Sequence, residues 1–317
     1  MINMKEFQDF SQAFFEETGL SLISKVPLAE YSSFRIGGPA DYFLEVYRLS
    51  DLATAVKAAR KFGFPFYVIG GGYNLLFDDA GYRGLVIRNS AAGLEYLPEK
   101  GSLEAASGTH LSDLVGLTLK EGLTGLEFLA GIPGTVGGAV FGNAGAFGQA
   151  IGDLVAEVTV LTGDGQERAL SPEELNFGYR YSSLKKDHKI ILKAALKVEP
   201  GSRLEMLKKV EDYLNQRARK HPPGEIPCAG SYFKNPVLPG GRKIPAGQLL
   251  EQAGARGMRV GQAAVYQGHC NFIINLGGAT ASQVLTLAAE LKEKVWQTSG
   301  IRLEEEVIFV PADASML

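Results

Sequence analysis

The chain has 317 residues, 45% of them hydrophobic and 21% charged, the balance of a globular protein with room for about two or three domains. A net charge of −3 and a pI near 5.9 leave no basic footprint, which argues against nucleic acid as the main partner. Two cysteines, Cys228 and Cys270, are too few for a disulfide scaffold, and His110, His188, His221 and His269 show no paired metal spacing, so no metal is expected.

No apolar run is long enough to span a bilayer. The N-terminus lacks a basic segment followed by an apolar one, so no signal peptide is expected and the expected location is the cytoplasm. Residues 4–18 read as an amphipathic helix, with Phe7, Phe10 and Phe14 on one face and Gly19 at its end. A polar, glycine-bearing segment, Tyr31 to Ala40, leads into a strand over 42–46. Ser50 is placed to cap a helix running to Phe62 with Leu52, Val56 and Ala59 inward, and Phe66–Ile69 reads as the next strand. This βαβ unit runs into Gly70-Gly71-Gly72-Tyr73-Asn74-Leu75-Leu76. The spacing is not that of a dinucleotide fingerprint and no helix follows, but successive unhindered N–H groups suit a phosphate turn.

Short strands are expected at 84–88 and 103–107, with a helix over 111–120 closed by Gly122. The most unusual segment follows, Leu129 to Gly148. Eight glycines fall from Gly131 to Gly152, and no charged side chain appears between Leu129 and Asp153. The period is irregular and Ile132, Val136, Val140 and Phe141 are apolar, so neither collagen nor a flexible linker fits. Two readings stand: a main-chain cradle for a phosphate or diphosphate, or a tightly packed crossing of strand and helix.

Beyond it come a strand at 155–161, a Thr162-Gly163-Asp164-Gly165 turn, and a capping box at Ser171-Pro172-Glu173-Glu174. A β-rich run follows at 189–198. Pro200-Gly201-Ser202 reads as a boundary before a charged helix from Arg203 to about Arg219. Later elements are a helix near 246–253, strands near 263–266 and 272–275, and a helix from Ala281 to about Gln297. Thr280 caps this last helix, and Leu285, Ala288, Leu291 and Val295 form its inner stripe. Glu306 is expected on a closing strand, sharing its face with Ile308. The mixture reads as α+β.

Four separated stretches together resemble the UDP-N-acetylenolpyruvoylglucosamine reductase family. They are Ser33-Phe34-Arg35-Ile36-Gly37-Gly38-Pro39-Ala40, the 70–76 glycine turn, the 129–148 stretch, and Gly230-Ser231-Tyr232-Phe233-Lys234-Asn235-Pro236. Tyr179-Arg180-Tyr181-Ser182 and Leu303-Glu304-Glu305-Glu306-Val307 extend the match, which runs in order over about 30–310. Each motif is weak alone; the ordered set is specific.

The resemblance implies a lead-in over 1–32 and an FAD-binding module of the vanillyl-alcohol-oxidase (PCMH) type over 33–199. That module would divide into subdomains of about 33–90 and 91–199, followed by a substrate domain over 200–310 and a tail over 311–317. It also implies an oxidoreductase in which NADPH reduces non-covalent FAD. Hydride then reaches C3 of the enolpyruvyl ether of UDP-N-acetylglucosamine and a proton reaches C2, giving UDP-N-acetylmuramate for peptidoglycan.

By the same resemblance Arg180 would stabilise the carboxylate and enolate, Ser231 would donate the proton and Glu306 would complete the catalytic set. FAD would meet Arg35, Gly70, Gly71, Gly72, Tyr73, Asn74, Leu75, Gly131, Pro133, Gly134, Thr135, Gly137, Gly138, Asn143, Gly145 and Ala146. The nucleotide sugar would meet Tyr179, Lys220, Asn235, His269 and Asn271. Cys228 and Cys270 read as small fillers. A monomer or weak oligomer without membrane partner is expected.

The chain departs from the family pattern at Tyr73, where serine is usual, and lacks room for the inserted tyrosine loop of one branch. Two other readings remain: an oxygen-using oxidase of the same fold acting on a carbohydrate or alcohol, and a non-catalytic nucleotide-sugar binder.

Overall fold

A computed structural model describes residues 4–187 and 189–316. The expectations for His188 and for the side chain of Phe7 lie outside the described residues. The chain divides into two compact units: Met1–Ser24, Tyr42–Gly71 and Gly84–Asn215 form one, and Lys25–Asp41, Gly72–Arg83 and Gln216–Leu317 the other.

The first unit holds two layered cores. One is built on the βαβ pattern: residues 42–46 of the strand Pro39–Val46, the helix Leu49–Lys61 and Phe66–Ile69, with residues 84–89 of the strand Tyr82–Asn89 parallel beside the last. Leu52, Ala55, Val56 and Ala59 of the helix pack with Leu44, Leu85 and Ile87. Phe10 of the N-terminal helix stacks on Phe64 at 3.6 Å. The Leu49–Lys61 helix starts one residue before the expected cap, with Arg48 at the N-cap position and no side-chain bond there. Arg48 instead pairs with Asp51 in the first turn.

The second core lies on a five-stranded antiparallel sheet. Its order is Glu167–Leu170, Val155–Leu161, Ile190–Lys197, Ser102–Ala106 and Leu94–Leu97. The helix Leu111–Glu121 buries Leu111, Leu114 and Val115 in it and ends on Gly122 in the left-handed conformation (φ 69°).

Part of the glycine-rich stretch is itself helical, from Val136 to Gly142. Glycine is a poor helix former, so the helix depends on its context. Thr135 caps it through the Gly138 N–H, and Val136, Ala139 and Val140 are buried. Gly137 lies against Ser107: a Cβ there would stand 2.9 Å from Ser107 Cβ. At this glycine, close packing is the reason for the missing side chain.

The second unit has a three-stranded antiparallel sheet, Arg259–Val260, Ala263–Val265 and Ile273–Asn275, under the helices Ala246–Gln252 and Ala281–Ser299. Thr280 and Gln283 form the capping box of the long helix. Asp79 adds a second clamp by accepting from Ala281 N–H at 2.7 Å and Ser282 N–H at 3.0 Å. The buried stripe is Ala281, Val284, Leu287, Ala288, Leu291 and Val295, with Leu285 at its margin. Leu75–Phe77 pairs in parallel with Ile308–Val310. Phe34, Ile36 and Leu76 belong to this unit's core, beside Tyr232 and Phe233. Among the described residues, no helix is long and apolar enough to cross a membrane, and no cluster of three or more metal-ligating side chains occurs.

Candidate active site

In the first unit the candidate site is built on a turn. Gly178 and Tyr181 exchange N–H···O bonds of 2.9 and 3.1 Å, leaving Tyr179 and Arg180 at the tip. Arg180 has φ 56°, a region that disfavours side chains other than those of glycine, asparagine and aspartate. Several bonds hold it there. Asn143 Nδ2 donates to Gly178 O at 2.7 Å, Ser182 Oγ to Phe141 O at 2.7 Å, and Arg180 Nη1 to Gly145 O at 2.9 Å. Lys185 Nζ donates to Arg180 O at 2.8 Å, and the guanidinium lies 5.5 Å from the Tyr179 ring. The turn is thus stitched to residues 141–145, the end of the glycine-rich stretch.

The same stretch divides the expected cofactor residues into two kinds. Gly131 (φ 71°), Pro133, Gly134 (φ 138°) and Thr135 form the connection into the short helix and Gly138 lies in its first turn, with Gly131, Pro133 and Gly138 exposed. A Cβ at Gly134 would meet nothing within 4 Å. Among the described residues, the N–H groups of Gly131, Gly134 and Thr135 donate to no main-chain carbonyl. Gly137, Asn143, Gly145 and Ala146 also make structural contacts. Gly137 packs on Ser107; Asn143 is buried, with Nδ2 on Gly178 O and Oδ1 accepting from Gly152 N–H at 2.9 Å. Gly145 and Ala146 pair with Gln149 and Ala150 in a hairpin. At Gly70 a Cβ would overlap the Thr135 hydroxyl, so that turn too requires glycine.

Gly71 ends the middle segment of the first unit. Gly72 opens the next segment of the second (φ 70°), where a Cβ would overlap the Tyr31 carbonyl oxygen. Tyr73 and Asn74 are exposed, and Leu75 begins a strand. Asn74 Nδ2 donates to Glu306 O at 3.0 Å. Arg35 is exposed in the left-handed region, with φ 53°. Side-chain-free, positively twisted backbone with unpaired N–H donors is what a diphosphate-bearing cofactor requires. The FAD expected by resemblance therefore fits these residues.

In the second unit the Ser231 and Glu306 positions are joined through Tyr232. Its N–H donates to Asn271 O at 2.8 Å and its carbonyl accepts from Glu306 N–H at 2.7 Å. Ser231 and Glu306 are both half-buried. The closing strand starts only at Ile308, so Glu306 sits in the bend before it, not on a strand face. Glu305 bridges to Phe233, and Lys234 is paired with Glu304.

The expected nucleotide-sugar residues have varied settings. Lys220 is exposed just past the helix Arg203–Ala218. Asn235 Oδ1 accepts from Ala246 N–H at 2.9 Å. Asn271 is buried with both ends of its amide on Phe233, and His269 Nδ1 accepts from Asn271 N–H at 3.1 Å. Burial pushes His221 down to about 4, helped by the nearby Arg217, His269 and Lys220 charges. Burial also lowers His269. It raises the thiols of Cys228 and Cys270, which keeps both protonated and unreactive.

Reading one motif at a time missed Ser182, Lys185 and Asp79. Ser182 and Asp79 act on main chain remote from their own motifs, and Lys185 on the Arg180 carbonyl five residues before it; none of the three carries a local signature of that.

Two family descriptions match separate parts of the chain: an FAD binding domain over residues 40–171, and the C-terminal domain of UDP-N-acetylenolpyruvoylglucosamine reductase over residues 221–310. The reductase of Geotalea uraniireducens is 42% identical over 288 residues, covering 90% of this chain and 93% of that protein. The Lachnoclostridium phytofermentans reductase is 40% identical over 285 residues, covering 89% of this chain and 90% of its own. The crystal structure of UDP-N-acetylenolpyruvylglucosamine reductase from Thermus caldophilus superposes with a TM-score of 0.76 at 35% identity, over 92% of this chain and all of that one. Such identity over nearly the full length of both partners, together with an FAD-binding domain followed by the family's own C-terminal domain, shows that the chain belongs to the UDP-N-acetylenolpyruvoylglucosamine reductase family.

Proposed function

We propose that this chain reduces the enolpyruvyl ether of UDP-N-acetylglucosamine to UDP-N-acetylmuramate, with FAD as its bound cofactor and NADPH as reductant. The observation that carries the proposal is the Arg180 turn. A guanidinium in a disfavoured backbone conformation is fastened to the glycine-rich stretch by three side-chain bonds to carbonyls, within or beside the segment that matches an FAD-binding domain. Strain maintained in this way is characteristic of sites where orientation matters.

FAD, when bound, supplies hydride to C3 of the enolpyruvyl group. The N–H groups around Gly131, Gly134 and Thr135, and those of the 70–74 turn, hold its diphosphate. Arg180 directs its planar fork at the substrate carboxylate, where negative charge accumulates as C3 gains hydride. Ser231 holds the proton delivered to C2, and Glu306 completes the polar set beside it. The C2=C3 bond is consumed, C3 gains one hydrogen with its electron pair, C2 gains the proton, and a saturated lactyl ether results. Lys220, Asn235 and His269 meet the nucleotide sugar. Within this reading the enzyme works in the cytoplasm on a soluble nucleotide sugar, as a monomer or weak oligomer.

The purified protein is expected to be yellow, to release FAD on denaturation, and to consume NADPH in equimolar ratio to UDP-N-acetylmuramate formed. Equal consumption of NADPH with oxygen alone, and no lactyl product, would support the oxidase. A colourless protein that binds the nucleotide sugar would support the non-catalytic reading.

A further inference from the structure

We propose that Asn271 is a positioning residue that sets Ser231 relative to Glu306, a role that rests on the reading of those two side chains given above. Asn271 is 4% exposed, and its amide pairs with both main-chain groups of a single residue as a neighbouring strand would. Oδ1 accepts from Phe233 N–H at 2.9 Å and Nδ2 donates to Phe233 O at 2.9 Å. The Asn271 carbonyl adds a third bond by accepting from Tyr232 N–H at 2.8 Å. One residue thus grips both residues that follow Ser231.

The other side of Tyr232 leads to the carboxylate. Its carbonyl accepts from Glu306 N–H at 2.7 Å and from Val307 N–H at 3.4 Å. Ser231 precedes Tyr232 by one peptide, and Glu306 is bonded to it directly. The separation of hydroxyl and carboxylate is therefore set by whatever fixes Tyr232, and Asn271 does so with one bond to Tyr232 itself and two to Phe233 beside it. His269 steadies the clamp, its Nδ1 accepting from Asn271 N–H at 3.1 Å while its ring sits edge-on to Phe272 at 5.2 Å. With both ends of its amide engaged inward, Asn271 acts on the reaction through the main chain of 232–233 and not by holding the sugar.

The test uses the flavin-loaded enzyme and its two half-reactions. Asn271→Asp keeps the shape but replaces the Nδ2 donor by an acceptor facing Phe233 O. Reoxidation of reduced flavin by saturating enolpyruvyl nucleotide is expected to fall about tenfold or more, with a larger solvent deuterium isotope effect. Nucleotide affinity should stay within about threefold and NADPH reduction should be unchanged. The double variant with Ser231→Ala should be no slower than Ser231→Ala alone, because both act at one proton transfer.

Weakened nucleotide binding with an unchanged saturating rate would overturn the inference in favour of a ligand contact, and an unchanged enzyme would overturn it outright. Ser231→Ala separates the two levels. If that variant reoxidises normally, the reading of Ser231 fails; if it is slow while Asn271→Asp is normal, only the positioning role fails. Should the aspartate variant not fold, Asn271→Ser, which shortens the side chain without charging it, is put through the same comparison. Faster amide exchange at Phe233 is then expected, and wild-type exchange there would count against the clamp.

Discussion

Substituting Gly137 by alanine tests whether the glycine-rich helix is placed by close packing. The new Cβ would stand 2.9 Å from Ser107 Cβ and 3.0 Å from Ser107 O. Ordinary carbon contacts lie at about 3.5–4.0 Å, so something must move by roughly 0.5–1 Å. Ser107 cannot yield easily: it is 2% exposed, its N–H donates to Leu192 O at 2.8 Å, and its hydroxyl accepts from Asn89 Nδ2 at 2.7 Å. The helix must therefore shift, straining the bond of 2.8 Å from Gly137 N–H to Ser107 O. Overpacking of this kind costs about 1–3 kcal/mol, and the gain from replacing a helical glycine returns at most about 1 kcal/mol. A net loss of up to about 2 kcal/mol of stability is expected, read as a lowered thermal midpoint of the apoprotein, with FAD affinity weakened about tenfold in a fluorescence titration of apoenzyme. Gly116, inside Leu111–Glu121, is the control: its Cβ would meet nothing within 4 Å, so Gly116→Ala should add about 0.5–1 kcal/mol. If Gly137→Ala matches Gly116→Ala in midpoint and keeps wild-type FAD affinity, the packing argument is refuted.

Other substitutions probe the remaining links. Ser182→Ala removes the bond to Phe141 O and should slow flavin reoxidation by the enolpyruvyl nucleotide several-fold while leaving reduction by NADPH intact, since Arg180 is needed only once substrate is present. Arg180→Lys should slow the same half-reaction by about 10–100-fold, because an ammonium cannot reproduce the planar fork; a rate near wild type would remove Arg180 from the chemistry. Asp79→Ala leaves the first turn of Ala281–Ser299 without two acceptors and should cost about 1–2 kcal/mol in urea unfolding, with the m-value unchanged. His221 supplies the pH dependence. Its folded pKa, about 4, lies below the ordinary 6.5, so the unfolded chain binds its proton first. Stability from this group is complete above about 6.5 and is lost as pH falls toward 4; His221→Gln should flatten that part of the profile, and an unaltered slope would count against the burial of His221.

Much of the fold was legible because its determinants are local. The capping boxes at Ser171 and Thr280, the glycine stop at Gly122 and the strand Val155–Leu161 all stand where their residues place them. Elements that depend on distant partners were not legible. The Val136–Gly142 helix has poor intrinsic propensity and exists because its apolar residues are buried in a sheet core. Leu75–Phe77 is three residues long and becomes a strand only by pairing with Ile308–Val310, more than two hundred positions away. Glu306 was expected on a strand from alternation alone, but its N–H is drawn to Tyr232 O and the strand begins later. The candidate site followed the same rule. Its chemistry-bearing residues were identifiable from ordered motifs, whereas the side chains that hold them, Asn143, Ser182 and Asn271, act through main-chain bonds that no pattern announces.

The most direct measurement is an anaerobic stopped-flow experiment. Enzyme bleached by one equivalent of NADPH is mixed with the enolpyruvyl ether of UDP-N-acetylglucosamine, and the flavin absorbance is followed. The account predicts rapid return of the oxidised spectrum with one equivalent of UDP-N-acetylmuramate, and a much slower return in Ser231→Ala and Arg180→Lys. Flavin that stays bleached until oxygen is admitted would contradict it.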